Sequence, residues 1–137
     1  MPDKFKYFNL GIADFDGTAL FYPPENPEHV SHTILYRKAT APKAIEVKVR
    51  KLKTIMDEFK HEHLDLLKMD IEGAEYGVIY DIIKSGLSIK QLLIEFHHGF
   101  PGVGIKNTKN SIELLNTEGY RIFAISKNGQ EYSFIKP

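Results

Sequence analysis

Three carboxylates crowd the end of the run Leu66-Leu67-Lys68-Met69-Asp70-Ile71-Glu72-Gly73-Ala74-Glu75. Its apolar start predicts a strand over Leu64–Met69, and Gly73 softens a turn into a helix over residues 74–85. In an open α/β sheet, ligands occupy the crevice beyond the carboxyl ends of the strands. Asp70, Glu72 and Glu75 therefore stand where chemistry is done. Gathering carboxylates costs free energy, so they need partners or a task. The plainer role for Glu72 and Glu75 is a favourably charged first helical turn.

His97 and His98 follow another predicted strand, residues 91–96, with Glu95 just before them. A neutral histidine there could act as a general base near pH 7. The pair could also bind a metal with a carboxylate. Adjacent strand residues point to opposite faces, which argues against both rings meeting one ion. Surface histidines at a strand terminus are the plainer account, and no metal site is assigned. His61-Glu62-His63 reads as a solvated connection. Gly99-Phe100-Pro101-Gly102-Val103-Gly104 lacks the Gly-x-Gly-x-x-Gly spacing of a phosphate loop, and its proline restricts the backbone. It reads as a mobile loop over the sheet end, placed for a lid.

Near the N-terminus, Asp14-Phe15-Asp16-Gly17-Thr18 resembles the first motif of haloacid-dehalogenase-like phosphatases. There the first aspartate attacks phosphorus, the second handles the leaving-group proton, and magnesium neutralises charge. The downstream lysine and second acidic pair of that signature are missing. Lys68 and Asp70 lie two residues apart on one strand and do not imitate it. Physically, an Asp-Gly pair of this kind makes a hairpin turn.

The elements that must position these residues come next. A chain of 137 residues with 42% hydrophobic content supports one domain, residues 1–137. Eighteen basic residues balance eighteen acidic ones, so bulk nucleic-acid or membrane-surface binding is not expected. The lack of cysteine removes disulfides, zinc–thiolate sites and thiol nucleophiles. With neither a signal-peptide pattern nor a membrane-length apolar run, a cytoplasmic location is the default.

Strands are expected over residues 7–13 and 17–22, joined as a hairpin, and over 34–37 and 45–49. Leu52, Ile55, Met56 and Phe59 carry the stripe of a surface helix. After residues 91–96, a strand of the kind buried on both faces, Ile112 and Leu115 mark a further helix stopped by Gly119. A final hairpin pairs residues 120–126 with 132–135 around Asn128-Gly129. Strands alternating with helices imply an α/β fold, its sheet mainly parallel with a C-terminal antiparallel hairpin.

This order of elements resembles the FkbM-type family of S-adenosylmethionine-dependent methyltransferases. The Leu66–Glu75 run is similar to that family's Leu-Leu-Lys-Ile-Asp-Val-Glu-Gly-Ala-Glu segment. Supporting pieces are Glu46-Val47-Lys48-Val49, Lys51-Leu52-Lys53-Thr54-Ile55, Leu93-Ile94-Glu95-Phe96-His97 and Gly119-Tyr120-Arg121-Ile122-Phe123. The resemblance implies a partial Rossmann-like class I sheet and an O-methyltransferase acting on a hydroxyl of a sugar or secondary metabolite. It places Ala13, Asp14 and Asp70 at the cofactor, S-adenosylmethionine. Asp70, Glu72 and His97 become the catalytic candidates, for acceptor orientation or proton removal.

One departure is large. The family's first two strands, with a glycine-rich turn and a ribose-binding acid, have no counterpart before Tyr7. The chain then looks like the C-terminal two-thirds of the domain, truncated and with weakened cofactor binding. Leu64–Met69 would keep an unpaired edge, to be filled by residues 7–13 or by another chain. That edge makes homo-oligomerisation an expectation and offers a second reading, a non-catalytic interaction module. The third reading is the magnesium-dependent phosphatase of Asp14 and Asp16.

Overall fold

A computed structural model describes residues 3–137. Two mixed sheets carry the chain. The first has the order β1-β3-β2, built from β1 (Gly11–Ile12), β2 (Gly17–Phe21) and β3 (Ile45–Arg50). The second has the order β4-β5-β7-β6, from β4 (Leu64–Met69), β5 (Ile89–Glu95), β6 (Arg121–Ile125) and β7 (Glu131–Ile135). Helices α1 (Leu52–Glu58), α2 (Glu75–Lys84) and α3 (Ile105–Thr117) separate the later strands. A 3-10 helix at Lys38–Lys43 precedes β3.

From β3 onward the elements follow the sequence pattern. The β4–α2–β5 unit is a parallel strand–helix–strand crossover, in register at Met69↔Ile94. The helix stops fall where glycine supplies a left-handed φ, +63° at Gly86 and +95° at Gly119. Cross-strand rows build the core. Leu67, Leu92, Phe134 and Ile122 lie side by side across all four strands, with Leu92 and Phe134 almost fully buried. Val78, Ile79 and Ile82 of α2 and Leu115 of α3 join the same cluster.

The sheets are mixed, which corrects the expectation of a mainly parallel one. Only β1/β3 and β4/β5 pair parallel; β2/β3, β5/β7 and β6/β7 are antiparallel. Helical alternation implies parallel neighbours only when consecutive strands share a sheet. Here β3 and β4 flank α1 but lie in different sheets. The C-terminal hairpin forms as expected, with β7 inserted between β5 and β6.

The N-terminal third departs further. The expected strand over residues 7–13 contracts to Gly11–Ile12: a turn with Leu10 N–H donating to Phe8 O interrupts it before Gly11, and its partner β3 ends at Arg50 as α1 begins. β1 and β2 make no hairpin with each other; they flank β3 on opposite sides. Residues 34–37 form no strand. Instead Thr33 bridges to Tyr22, and the chain turns into the 3-10 helix. Among the described residues, β4 pairs only with β5, so β1 does not slide over to fill its edge. Leu66 on that strand is half exposed. Apolar composition alone had suggested a central strand.

Candidate functional site

Parallel pairing of β4 with β5 brings their carboxyl ends to one edge. Asp70 follows β4 and Glu95 ends β5, so the two acids meet directly past the Met69↔Ile94 pair. The chain then reverses through Ile71-Glu72-Gly73 into α2. Glu72 takes φ +53° and Gly73 φ +102°, a left-handed pair in which Glu72 bears the strain of a side chain. The buried Thr33 hydroxyl donates to the Glu72 carbonyl and accepts from Leu35 N–H at 3.0 Å, tying the 23–37 loop to the turn.

Glu75 holds the site together. Its carboxylate is fully buried and accepts the N–H of Ile71 at 3.2 Å and that of Gly73 at 3.1 Å. It also lies 2.8 Å from His97 Nδ1. A carboxylate can only accept, so Nδ1 carries the proton and Nε2 faces outward. Nε2 lies 3.7 Å from Asp70 and 3.6 Å from Glu72. Thus one imidazole, its side chain 10% exposed, is oriented by one carboxylate and presented to two others.

Burial opposes charge on His97. The hydrogen bond to Glu75 and the charges of Glu75, Glu72 and Glu95 outweigh it, and the ring's pKa is raised above its ordinary value. Glu95 is raised as well, by burial first and then by Asp70. For both groups the folded pKa exceeds the unfolded one. The His97 contribution to stability is therefore complete below about pH 6.5 and is lost as pH rises through the folded value. Urea unfolding midpoints are expected to fall as pH climbs from neutral into the mildly alkaline range. A flat or rising profile would contradict this geometry.

The structure brings Asp70, Glu72 and His97 together, as the sequence grouped them. Asp70, Glu95 and His97 offer ligand atoms within 4.8 Å of one another and could hold a cation. A cleft of ≈450 Å³ runs from Asp70 and Glu72 to Leu10 and to Gly11 and Ile12 of the first sheet. Ala13 and Asp14 lie just beyond that lining. Ala13 is buried and donates its N–H to Arg50 O at 3.0 Å. Asp14 packs over Gly77 of α2, where an added Cβ would come within 2.7 Å of its Oδ2.

His98 points away from His97, to the Thr108 hydroxyl on α3 at 3.2 Å, which in turn meets Tyr76 OH at 3.0 Å. The two rings do not share an ion. The 99–104 loop closes on itself, with Gly104 N–H donating to His98 O and Phe100 N–H to His97 O. Its Phe100 ring packs on His97 at 4.9 Å between centroids.

Asp16 has a structural task. Its carboxylate accepts Lys51 N–H and Thr54 Oγ1–H, both at 2.8 Å, which caps the start of α1. The Lys51 backbone bond, then Thr54, lowers its pKa. That leaves no free aspartate pair for phosphatase chemistry at this turn.

The chain matches the model of the methyltransferase FkbM domain over residues 2–122. It belongs to the FkbM methyltransferase domain family. Among curated proteins, the FkbM segment is similar to "Probable methyltransferase-like protein 24" of Rattus norvegicus. The two are 37% identical over 89 residues, 58% of this chain and 24% of the relative. The Homo sapiens protein of the same description is 37% identical over 65 residues, covering 46% and 18%. The chain thus spans about a quarter or less of the length of these relatives. No solved structure matches. No helix among the described residues is long and apolar enough to cross a membrane.

Within the FkbM domain, sequence reasoning undervalued Glu75 and Glu95. Glu75 stood in the quoted run, but as one more helix-start acid. Its spacing to Gly73 and His97 becomes meaningful only once β4 and β5 are paired. Gly73 is equally constrained, since an added Cβ would come within 2.5 Å of Leu35 Cδ1 and φ is positive. Gly73→Ala is expected to cost about 2 kcal/mol. Adding Leu35→Ala should restore only the part due to the clash, which thermal melts of the two variants can separate.

Proposed function

We propose that this FkbM domain takes part in S-adenosylmethionine-dependent methylation of a hydroxyl on a small molecule or sugar, with His97 as the general base. The observation that carries the reading is the Glu75–His97 pair, with Nδ1 fixed at 2.8 Å and Nε2 turned toward Asp70 and Glu72 at the strand ends. The cleft between Gly11–Ile12 and Asp70–Glu72 fits part of the cofactor. Its apolar first-sheet wall suits an aromatic base, and Asp70 suits polar or cationic atoms. When bound, S-adenosylmethionine supplies an electrophilic methyl group.

Methyl transfer to an alcohol depends on in-line approach and on removal of the hydroxyl proton as the new bond forms. In this reading Asp70 and Glu72 orient the acceptor hydroxyl and His97 Nε2 takes its proton. The imidazolium so formed is stabilised by Glu75 and Glu72. The strained φ of Glu72 holds its carboxylate beside the ring. The β4–α2–β5 crossover supports a partial Rossmann-like sheet. Within these residues no glycine-rich strand–turn–helix supplies the methionine and ribose subsites, so we expect weak cofactor affinity from this stretch alone. Transfer of a radiolabelled methyl group from S-adenosylmethionine to hydroxylated acceptors tests the reading. Turnover retained in Asp70→Asn and His97→Gln would sink it.

A second reading, an interaction module, is favoured by β4 pairing with β5 alone among the described residues, with Leu66 half exposed. It predicts a concentration-dependent dimer in light scattering, abolished by Leu66→Lys. A monomer at all concentrations counts against it.

A further inference from the structure

On the other side of the Glu72–Gly73 turn lies a second cavity, of ≈440 Å³. The loop residue Leu35, which packs on Gly73, forms part of its wall, as does Phe100, which packs on His97. Arg37 reaches into this cavity. Its guanidinium lies over the Phe100 ring at 5.4 Å, and its Nη1 is buried without a hydrogen-bond partner. Among buried side-chain polar atoms of the described residues, Nη1 alone lacks a partner.

A guanidinium at the wall of a cavity, stacked on Phe100 and held by no ion pair among the described residues, offers its N–H fork to an acceptor that enters from outside. The remaining wall says which kind. Arg37 and Lys38 share the lining with one carboxylate, Glu25, an excess of one formal positive charge. Tyr36 and Phe100 add flat apolar surface. One excess charge and an aromatic wall match a monoanion on an apolar body better than a phosphate dianion. A carboxylate also fits the planar fork of arginine.

We infer that this cavity binds a carboxylate-bearing molecule through Arg37. Phe100 borders both Arg37 and His97, so the cavity adjoins the His97 cluster, and a carboxylate-bearing methyl acceptor is the ligand class it fits. Only the word acceptor rests on the methyltransferase reading. The anion site itself requires no cofactor, and its test uses none.

The test is titration of the chain with benzoate, benzamide and inorganic phosphate, followed by amide NMR. Benzoate is expected to shift residues 35–38 and 100–101, with benzamide weaker by about tenfold or more. Arg37→Gln should weaken benzoate to the same degree, and Arg37→Lys should lose part of it because the fork is gone. If Arg37→Gln fails to fold, the benzoate–benzamide comparison still decides. Equal binding of benzoate and benzamide, or benzoate binding unchanged in Arg37→Gln, overturns the site. Phosphate binding tighter than benzoate overturns the carboxylate assignment. Benzoate binding without detectable S-adenosylmethionine binding would uphold this inference while the methyl-transfer reading failed.

Discussion

Glu75→Ala is expected to destabilise the fold by about 3 kcal/mol, a drop of roughly 10 °C in melting temperature for a domain of this size. The substitution strands three donors at once: the N–H groups of Ile71 and Gly73, and His97 Nδ1–H. They are buried or partly buried. It also releases the left-handed turn at Glu72 and Gly73, which the carboxylate closes from inside. Glu75→Gln should fall between, since an amide oxygen keeps one acceptor and loses the charge. The paired signature is chemical. In Glu75→Gln the His97 pKa should drop, because its hydrogen bond loses a charged acceptor and its largest favourable charge is gone while burial remains. Thermal unfolding with NMR titration of the ring checks both. A loss under about 1 kcal/mol, or an unmoved His97, would show that Glu75 is only a helix-start acid.

His97→Gln carries the second large effect, on rate rather than stability. Removing a positioned general base typically slows the chemical step about 10²- to 10⁴-fold. Glutamine keeps a polar group of similar reach that can still bond to Glu75, so folding should be preserved. The slowed reaction should show its change in kcat rather than KM, because the proton moves only as the methyl group transfers. In the wild-type domain, the rate should rise with pH through the elevated His97 pKa, as the ring becomes free to accept a proton. The variant should lose that dependence. Full activity in His97→Gln would hand proton removal to another group, with Asp70 and Glu72 the nearest.

Much of the C-terminal half was legible because its signals are local. Glycines stop helices, an Asn-Gly pair turns a hairpin, and apolar spacing marks α1, α2 and α3. The first third was not, because its strands are decided by partners rather than propensity. Residues 7–10 are mostly apolar, but a tight turn with Leu10 N–H donating to Phe8 O at 2.9 Å breaks the extended run before Gly11, and Phe5, Tyr7 and Phe8 stay exposed. The Asp14–Gly17 turn has hairpin chemistry, yet β3 comes between the two strands it joins. For the site, residue types and the family resemblance singled out Asp70, Glu72 and His97 as candidates, and the structure brings them together. Pairing geometry was needed to make Glu75 their organiser and to bring Glu95 beside them. Arg37 was invisible, since an arginine in a loop reads as solvated until its surroundings are known.

The central claim is that the crevice between the first sheet and the β4 end receives S-adenosylmethionine beside His97. Amide NMR during titration with S-adenosylmethionine tests it most directly. The account predicts saturable shifts confined to residues 10–12 and 70–74, with a Kd of about a millimolar for this stretch alone, weakened in Asp70→Asn. Shifts that cluster elsewhere, or none up to about 10 mM, would contradict it.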